Sequence, residues 1–214
     1  MKIKTFPLLL FGVNCYVVYD PEEKEAAIVD PGIVDNREIE EIDRFVKEND
    51  LKVVAVINTH LHIDHVLANA GLAEKYGVPV MAHADDEFLG LDLQSQIQKF
   101  HLPFKLKNAG VTHHLEDGEK IKIGRGELDV IHVPGHSPGG IGLYDPEGGF
   151  LISGDTLFDG SIGRTDLPGG SLARLLESIK KRFYSLPDET VVYPGHGEPT
   201  TIGREKASNP YVRS

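Results

Sequence analysis

The sequence has little cysteine: Cys15 is the only one among 214 residues. An intrachain disulfide is therefore excluded, and no disulfide framework props up the fold. Cys15 is expected to pack as a small apolar core residue. No run of lysines or arginines supplies a basic patch, and the formal net charge is −11. Such a surface repels phosphate backbones, so no nucleic-acid partner is expected. No apolar stretch reaches the length of a membrane span, so no membrane partner is expected either. The segment Met1-Lys2-Ile3-Lys4 followed by Phe6-Pro7-Leu8-Leu9-Leu10-Phe11 imitates a signal peptide only faintly. Its apolar core is short, holds Pro7 and is followed by no small-residue cleavage site. A cytoplasmic location is the expectation. Linkers, low-complexity segments and short-period repeats are absent as well, which predicts one domain over residues 1–214. With 40% hydrophobic and 26% charged residues, the chain can bury a core, and disorder is excluded.

What is present reads as alternating strands and helices. Lys2–Phe6, Asn14–Asp20 and Glu25–Val29 are rich in β-branched and aromatic residues and predict strands. Ile39, Ile42, Phe45 and Val46 form one stripe of a helix over Asn36–Glu48, with Asp35 or Asn36 as its cap. Val53–Ile57 is almost wholly apolar, as a strand covered on both faces would be. A helix is predicted from about Ile63 to Tyr76, capped by Gly77, and a strand over Val78–Ala82. This β-α-β order implies parallel neighbours with helices outside the sheet. Asp85–Lys107 mixes helix and loop. Its apolar residues, among them Phe88, Leu89, Leu93, Ile97, Phe100 and Phe104, pack on the core or wall a site. Four more strands follow, at Glu119–Ile123, Leu128–Val133, Gly140–Tyr144 and Phe150–Ser153. A glycine-rich loop spans Leu157–Gly170. Ser171 caps a helix with Leu172, Leu175, Leu176, Ile179 and Phe183 inward. A last strand covers Thr190–Tyr193 and a last helix Ile202–Ser208. The halves share a strand-then-helix layout, which suggests two similar layers facing each other.

The chemistry concentrates in Thr59-His60-Leu61-His62-Ile63-Asp64-His65. In an extended segment His60 and His62 point the same way, and Asp64 and His65 are offset from them. Two adjacent metal positions follow from that offset. Downstream, His136, Asp155 and His196 each stand where an apolar run stops, behind Pro134-Gly135, Gly154 and Pro194-Gly195. Sites gather at strand ends in sheets covered by helices. Five imidazoles and two carboxylates exceed what one tetrahedral zinc accepts. We assign His60, His62 and His136 to a first metal and Asp64, His65 and His196 to a second, with Asp155 bridging. Two ions about 3.5–4 Å apart can share a water that loses its proton near neutral pH. Zinc is the expected divalent ion, and iron or manganese suits the same donors. Asp30, in Asp30-Pro31-Gly32 at the end of the third strand, is expected to orient a ligand histidine or the backbone beneath it. His83, His101, His113, His114 and His132 lie outside the pattern and are read as ordinary surface or core histidines.

With those residues in order, the chain resembles the metallo-β-lactamase-fold hydrolase superfamily, from about Asn14 to Pro199. The implied fold is α+β, a four-layer αββα sandwich of two mixed sheets with the site at their edge. Gly154-Asp-Thr-Leu-Phe158, Pro194-Gly-His-Gly197 and Pro134-Gly-His-Ser-Pro-Gly139 look most like glyoxalase II, the hydroxyacylglutathione hydrolase, and its short bacterial relatives. The resemblance implies hydrolysis of a thioester such as S-lactoylglutathione, with Asp64 orienting the attacking water as a catalytic group. Two-domain glyoxalases II carry a helical domain that holds glutathione. Here 18 residues follow His196, so the resemblance implies a truncated or differently built glutathione pocket. Arg164, in Gly163-Arg-Thr-Asp166, matches a basic residue of the glyoxalase loop and is a candidate substrate anchor. The same stretch resembles the mononuclear iron persulfide dioxygenases of this fold. That activity, and a lactonase or another hydrolase of the fold, are the alternatives.

Overall fold

The computed structural model describes residues 1–102 and 108–213. The first half builds one six-stranded sheet. Its strands are β1 (Lys2–Pro7), β2 (Asn14–Tyr19), β3 (Glu25–Val29), β4 (Lys52–Ile57), β5 (Val80–His83) and β6 (His113–Leu115), in that spatial order. β1, β2 and β3 pair antiparallel; β3 to β6 pair parallel, as the β-α-β pattern implied. Helix α1 (Asn36–Glu48) makes the first crossover. Asp35 caps it and Glu38 returns the contact to the cap backbone, an arrangement worth about 1 kcal/mol.

The helix expected from Ile63 to Tyr76 is two helices, α2 (Ile63–Val66) and α3 (Asn69–Tyr76). The interruption has a local cause. The Asn58 side-chain amide donates to the His65 carbonyl at 3.0 Å, and Ala68 N–H donates to the Pro31 carbonyl at 2.9 Å. Those bonds divert groups that a continuous helix would use. Gly77 does cap α3 in the left-handed conformation. Between β5 and β6 run α4 (Glu87–Leu91) and α5 (Leu93–Lys99). Leu89, Leu93 and Ile97 enter the core, Leu91 faces outward, and Phe88 and Phe100 border a cavity. Phe104 lies outside the described residues.

The second half makes the facing sheet. It comprises β7 (Lys120–Ile123), β8 (Gly126–His132), β9 (Ile141–Asp145), β10 (Phe150–Gly154), β13 (Val191–Pro194) and β14 (Thr200–Thr201). The stretch expected as loop between β10 and the next helix contains a small hairpin, β11 (Leu157–Phe158) and β12 (Ser161–Ile162). Its two-residue turn is Asp159-Gly160, a strong hairpin signal that the sequence carried. Ser171 caps α6 (Leu172–Ser178), which widens into a π-type turn over Ile179–Phe183. Leu175, Ile179 and Phe183 are buried as expected, whereas Leu172, at the first helical position, is exposed. The chain then reaches α7 (Ile202–Ser208).

Packing explains the layering. In β2, Cys15 and Val17 face α1 and α3, while Tyr16 and Val18 face the second sheet. A strand covered on both faces is apolar unless its polar groups are satisfied, and β2 is apolar after Asn14, whose amide donates to the Pro194 and Gly197 carbonyls. Between the sheets, Val29, Ala55 and Ile57 meet Ile123, Val130, Leu143 and Ile152. On the far side, Ile131, Leu151 and Val192 meet Leu175, Ile179 and Phe183. The order is helices, sheet, sheet, helices: an αββα sandwich. Among the described residues, no helix is long and apolar enough to cross a membrane.

Candidate dinuclear metal centre

The ends of β3, β4, β8, β10 and β13 meet at one edge of the sandwich. β4 runs out at Ile57, and a short stretch, bent at Thr59 and extended at His62, leads into α2. His60 and His62 come from that stretch, Asp64 and His65 from the first turn of α2. His136 follows β8, Asp155 follows β10, and His196 follows β13. The His196 loop is fastened from the first half: Asn14 N–H donates to the Gly195 carbonyl at 2.7 Å, and its side-chain amide to the Gly197 carbonyl at 2.9 Å. Gly195 is required there, because a Cβ would lie 2.1 Å from Asp155 Oδ1.

The structure brings all seven sequence-predicted ligands together, in two overlapping groups. His60, His62 and His136 form one triad, and Asp64, His65 and His196 another, with donor atoms in each within 4.8 Å of one another. Asp155 lies between them. Its Oδ2 is 3.7 Å from His136 Nε2 and 3.5 Å from His196 Nε2, and its Oδ1 is 3.5 Å from His65 Nε2. One carboxylate thus reaches ligands of both triads.

Hydrogen bonds aim the imidazoles. His136 Nδ1 donates to the Arg164 carbonyl at 2.7 Å, so its Nε2 keeps a lone pair for the centre. His196 Nδ1 donates in the same way to the Gly12 carbonyl at 3.2 Å. Thr59 Oγ1 donates to Asp30 Oδ2 at 2.6 Å and so can accept from His60 Nδ1, 3.1 Å away. Asp30, fully buried and left-handed at φ 51°, also accepts from Thr59 N–H at 2.8 Å. Its Oδ2 lies 3.1 Å from His65 Nδ1, the orienting place expected for it. His62 presents Nδ1, 2.9 Å from His136 Nε2.

The donors fit metal ions on an observation internal to the protein. His60 Nε2, His65 Nε2 and Asp155 Oδ1 are buried without any hydrogen-bond partner. Each such group costs about 1–3 kcal/mol unless something fills the gap. Imidazole nitrogens converging with carboxylate oxygens suit zinc or iron.

The two triads differ in charge. Burial pushes His60 well below the usual histidine range and, with His136 beside it, holds His62 at about 3. Both are neutral at ordinary pH. Burial also opposes charge on His65, but Asp30, Asp64 and Asp155 outweigh it and hold that imidazole up at about 9. His196 is opposed by burial too, yet hydrogen bonds to Asp155 and Asp64 raise it to about 10. The Asp64 and Asp155 carboxyls, against desolvation, are held low by these histidines. Without metal, the second triad is therefore an ion-pair cluster whose imidazoles are protonated. Its stabilising effect is complete below the unfolded histidine value near ~6.5 and fades as pH rises through the folded values. Metal entering there must displace protons. We expect zinc affinity at the second position to rise steeply from about pH 6 to pH 9 and affinity at the first, where His60 and His62 are already neutral, to rise distinctly less over that range. Calorimetric titration in buffers of different ionisation enthalpy reads the protons released. Equal pH slopes for the two ions would contradict the assignment.

The centre forms the floor of a cavity of about 470 Å³, within the usual range for small-molecule sites. Phe88 and Phe100 from the α4–α5 excursion and Leu167 from the loop after β12 wall it, as the sequence suggested for these segments. Phe11, from the loop between β1 and β2, packs edge-on to Phe100 at 5.6 Å and was not foreseen. Arg164 lines the cavity, and its guanidinium is held by Asp166 through Nε at 2.7 Å and Nη2 at 2.6 Å. The sequence pointed to the Arg164 side chain but not to its carbonyl, which orients His136. Nor did it point to the Gly12 carbonyl or the Thr59 hydroxyl. Of these only Thr59, directly before His60, left a side-chain signal.

Comparison with known proteins agrees with this architecture. A family profile described as "Metallo-beta-lactamase superfamily" matches residues 8–196. The chain is 38% identical to the "Hydroxyacylglutathione hydrolase GloC" of Haemophilus influenzae, over 100% of this chain and 99% of that protein. Among solved structures it is similar to the BLEG-1 B3 metallo-beta-lactamase, with TM-score 0.89, 35% identity and full coverage of both chains. It is also similar to TTHA1623 in a di-iron-bound form, with TM-score 0.82, 36% identity, and 98% and 100% of the two chains covered.

Proposed function

The chain belongs to the metallo-beta-lactamase superfamily and is a metallo-hydrolase of that fold, and from this premise we propose that it is a dinuclear thioesterase acting on hydroxyacylglutathiones such as S-lactoylglutathione. The observation that carries the reading is the pair of triads sharing Asp155 on the floor of the cavity. The H. influenzae relative, named for that activity and matched end to end, supports the substrate class. Two ions, zinc or iron, would be held by His60, His62 and His136, by Asp64, His65 and His196, and by Asp155 between them. When bound they supply Lewis acidity and a water that ionises near neutral pH.

The protein's own residues do the rest. Phe11, Phe88 and Phe100 give the thioester an apolar wall that excludes bulk water from the scissile bond. Asp64, ionised and partly open to the cavity, accepts a hydrogen bond from the attacking water and holds its oxygen toward the carbonyl carbon. Addition of water and loss of the thiolate give the free acid and a thiol, with the proton from water ending on the thiol or solvent. The Arg164–Asp166 pair sits at the cavity edge, where a glutathione carboxylate would compete with Asp166 for the guanidinium. Arg164→Ala is expected to raise KM for S-lactoylglutathione several-fold with kcat nearly unchanged, since the backbone carbonyl on His136 remains. An unchanged KM would remove Arg164 from the binding site.

The similarity to BLEG-1 favours a second reading, hydrolysis of a β-lactam amide by the same centre. Thiol release from S-lactoylglutathione, measured beside nitrocefin opening on the same metal-loaded preparation, separates the two. The thioester reading expects kcat/KM at least a hundredfold higher on the thioester; the reverse order would replace it.

A further inference from the structure

Asp86 follows β5, outside both triads, and its side chain is fully buried. A buried carboxylate is costly unless its oxygens are satisfied, and here three bonds satisfy them. Oδ1 accepts from Gly139 N–H at 2.6 Å. Oδ2 accepts from Ser137 Oγ at 2.7 Å and from Leu61 N–H at 3.2 Å. Leu61 lies between His60 and His62, and Ser137 follows His136. The single carboxylate therefore joins the two loops that supply the whole first triad. The contact is close-packed: a Cβ on Gly139 would lie 2.7 Å from Asp86 N. The ligands of the second triad are held by other groups, His65 by Asp30 and His196 by the Gly12 carbonyl.

We propose that Asp86 is a positioning residue that clamps the His60–His62 loop to the His136 loop and so sets metal affinity at the first position without setting it at the second. The inference rests on the dinuclear reading above. Asp86 also opens the segment leading into α4, which carries Phe88 and Leu89 of the cavity wall, so one buried carboxylate ties the first metal position to the substrate wall. Hydrogen-bonding partners behind metal ligands typically change metal affinity about 10–100-fold when removed.

The test isolates each position. His196→Ala leaves the first triad intact, and His62→Ala leaves the second. Asp86→Ala is added to each, and zinc is titrated into the metal-free proteins by calorimetry with a competing chelator. In the His196→Ala background, zinc affinity is expected to fall about 10–100-fold; in the His62→Ala background, less than about threefold. Equal weakening in both, or none in either, would overturn the proposal. Ser137→Ala, which removes one bond of the three, covers the case in which Asp86→Ala does not fold. It is expected to act several-fold in the same direction, and no selective effect would count against the clamp. Asp86→Asn keeps an acceptor for Gly139 N–H and is expected to restore part of the loss. A protein without these substitutions that takes up fewer than two zinc ions would overturn the dinuclear reading. Two ions without selectivity for Asp86 would overturn the clamp alone.

Discussion

Asp155→Ala is expected to cost at least ~10³-fold in turnover and to leave the protein with no more than one metal ion per chain. Asp155 lies within 3.5–3.7 Å of His65, His136 and His196, so this one carboxylate reaches members of both triads. Removing it takes a ligand from each position and the link between them. It also removes negative charge beside the imidazoles of the second triad, and with it the pairing that orders the metal-free site. The fold itself should survive, because Asp155 sits at the cavity floor and not among the apolar clusters between the layers. Circular dichroism and metal analysis of the purified variant check this together with turnover. Retention of two ions and of more than a tenth of the activity would show that Asp155 does not bridge. Asp64→Ala is a useful companion: a hydrolase should lose turnover while staying folded, whereas a protein that only binds a partner at this site would keep that partner.

Asp30→Ala should carry the largest stability cost. Asp30 is fully buried, accepts hydrogen bonds from Thr59 N–H and Thr59 Oγ1 and pairs with the His65 imidazole at 3.1 Å. Truncation strands those groups without solvent, and breaking a buried charged pair from one side typically costs about 3–5 kcal/mol. For a chain of this size that is a drop of roughly 10 °C in Tm. Alanine is also disfavoured at φ 51°, where aspartate and asparagine are tolerated. Asp30→Asn should therefore lose distinctly less, since it keeps the backbone conformation and one acceptor. Thermal unfolding of the metal-free proteins measures the effect apart from metal loss. An Asp30→Ala protein as stable as the parent would mean that Asp30 serves only the turn.

The grouping of the seven candidate ligands was legible in the sequence because each is a titratable side chain at, or one short turn beyond, the end of an apolar strand. Strand ends gather at one edge of a layered fold, so order along the chain translated into proximity in space. Part of the layering was legible too. The almost wholly apolar Val53–Ile57 run requires cover on both faces, whereas the four-layer αββα order came from the resemblance alone. What the sequence hid is what backbone atoms do. The carbonyls of Arg164 and Gly12 that aim His136 and His196 have no side-chain identity to announce them. The break between α2 and α3 was hidden because it comes from Asn58, well upstream, capturing the His65 carbonyl, while local periodicity continues across it. β6, of three residues, is a strand only because β5 lies beside it. Asp86 looked like one more acid in a mixed segment; its importance comes from tertiary partners 25, 51 and 53 residues away.

The proposed enzyme holds two metal ions and uses them to hydrolyse a thioester. Metal quantification on the purified protein, run beside thiol release from S-lactoylglutathione and oxygen uptake on glutathione persulfide, tests it most directly. Two ions per chain, thiol release that is lost with the metals, and no oxygen uptake are the predicted result. A single iron with oxygen consumed on the persulfide would contradict it.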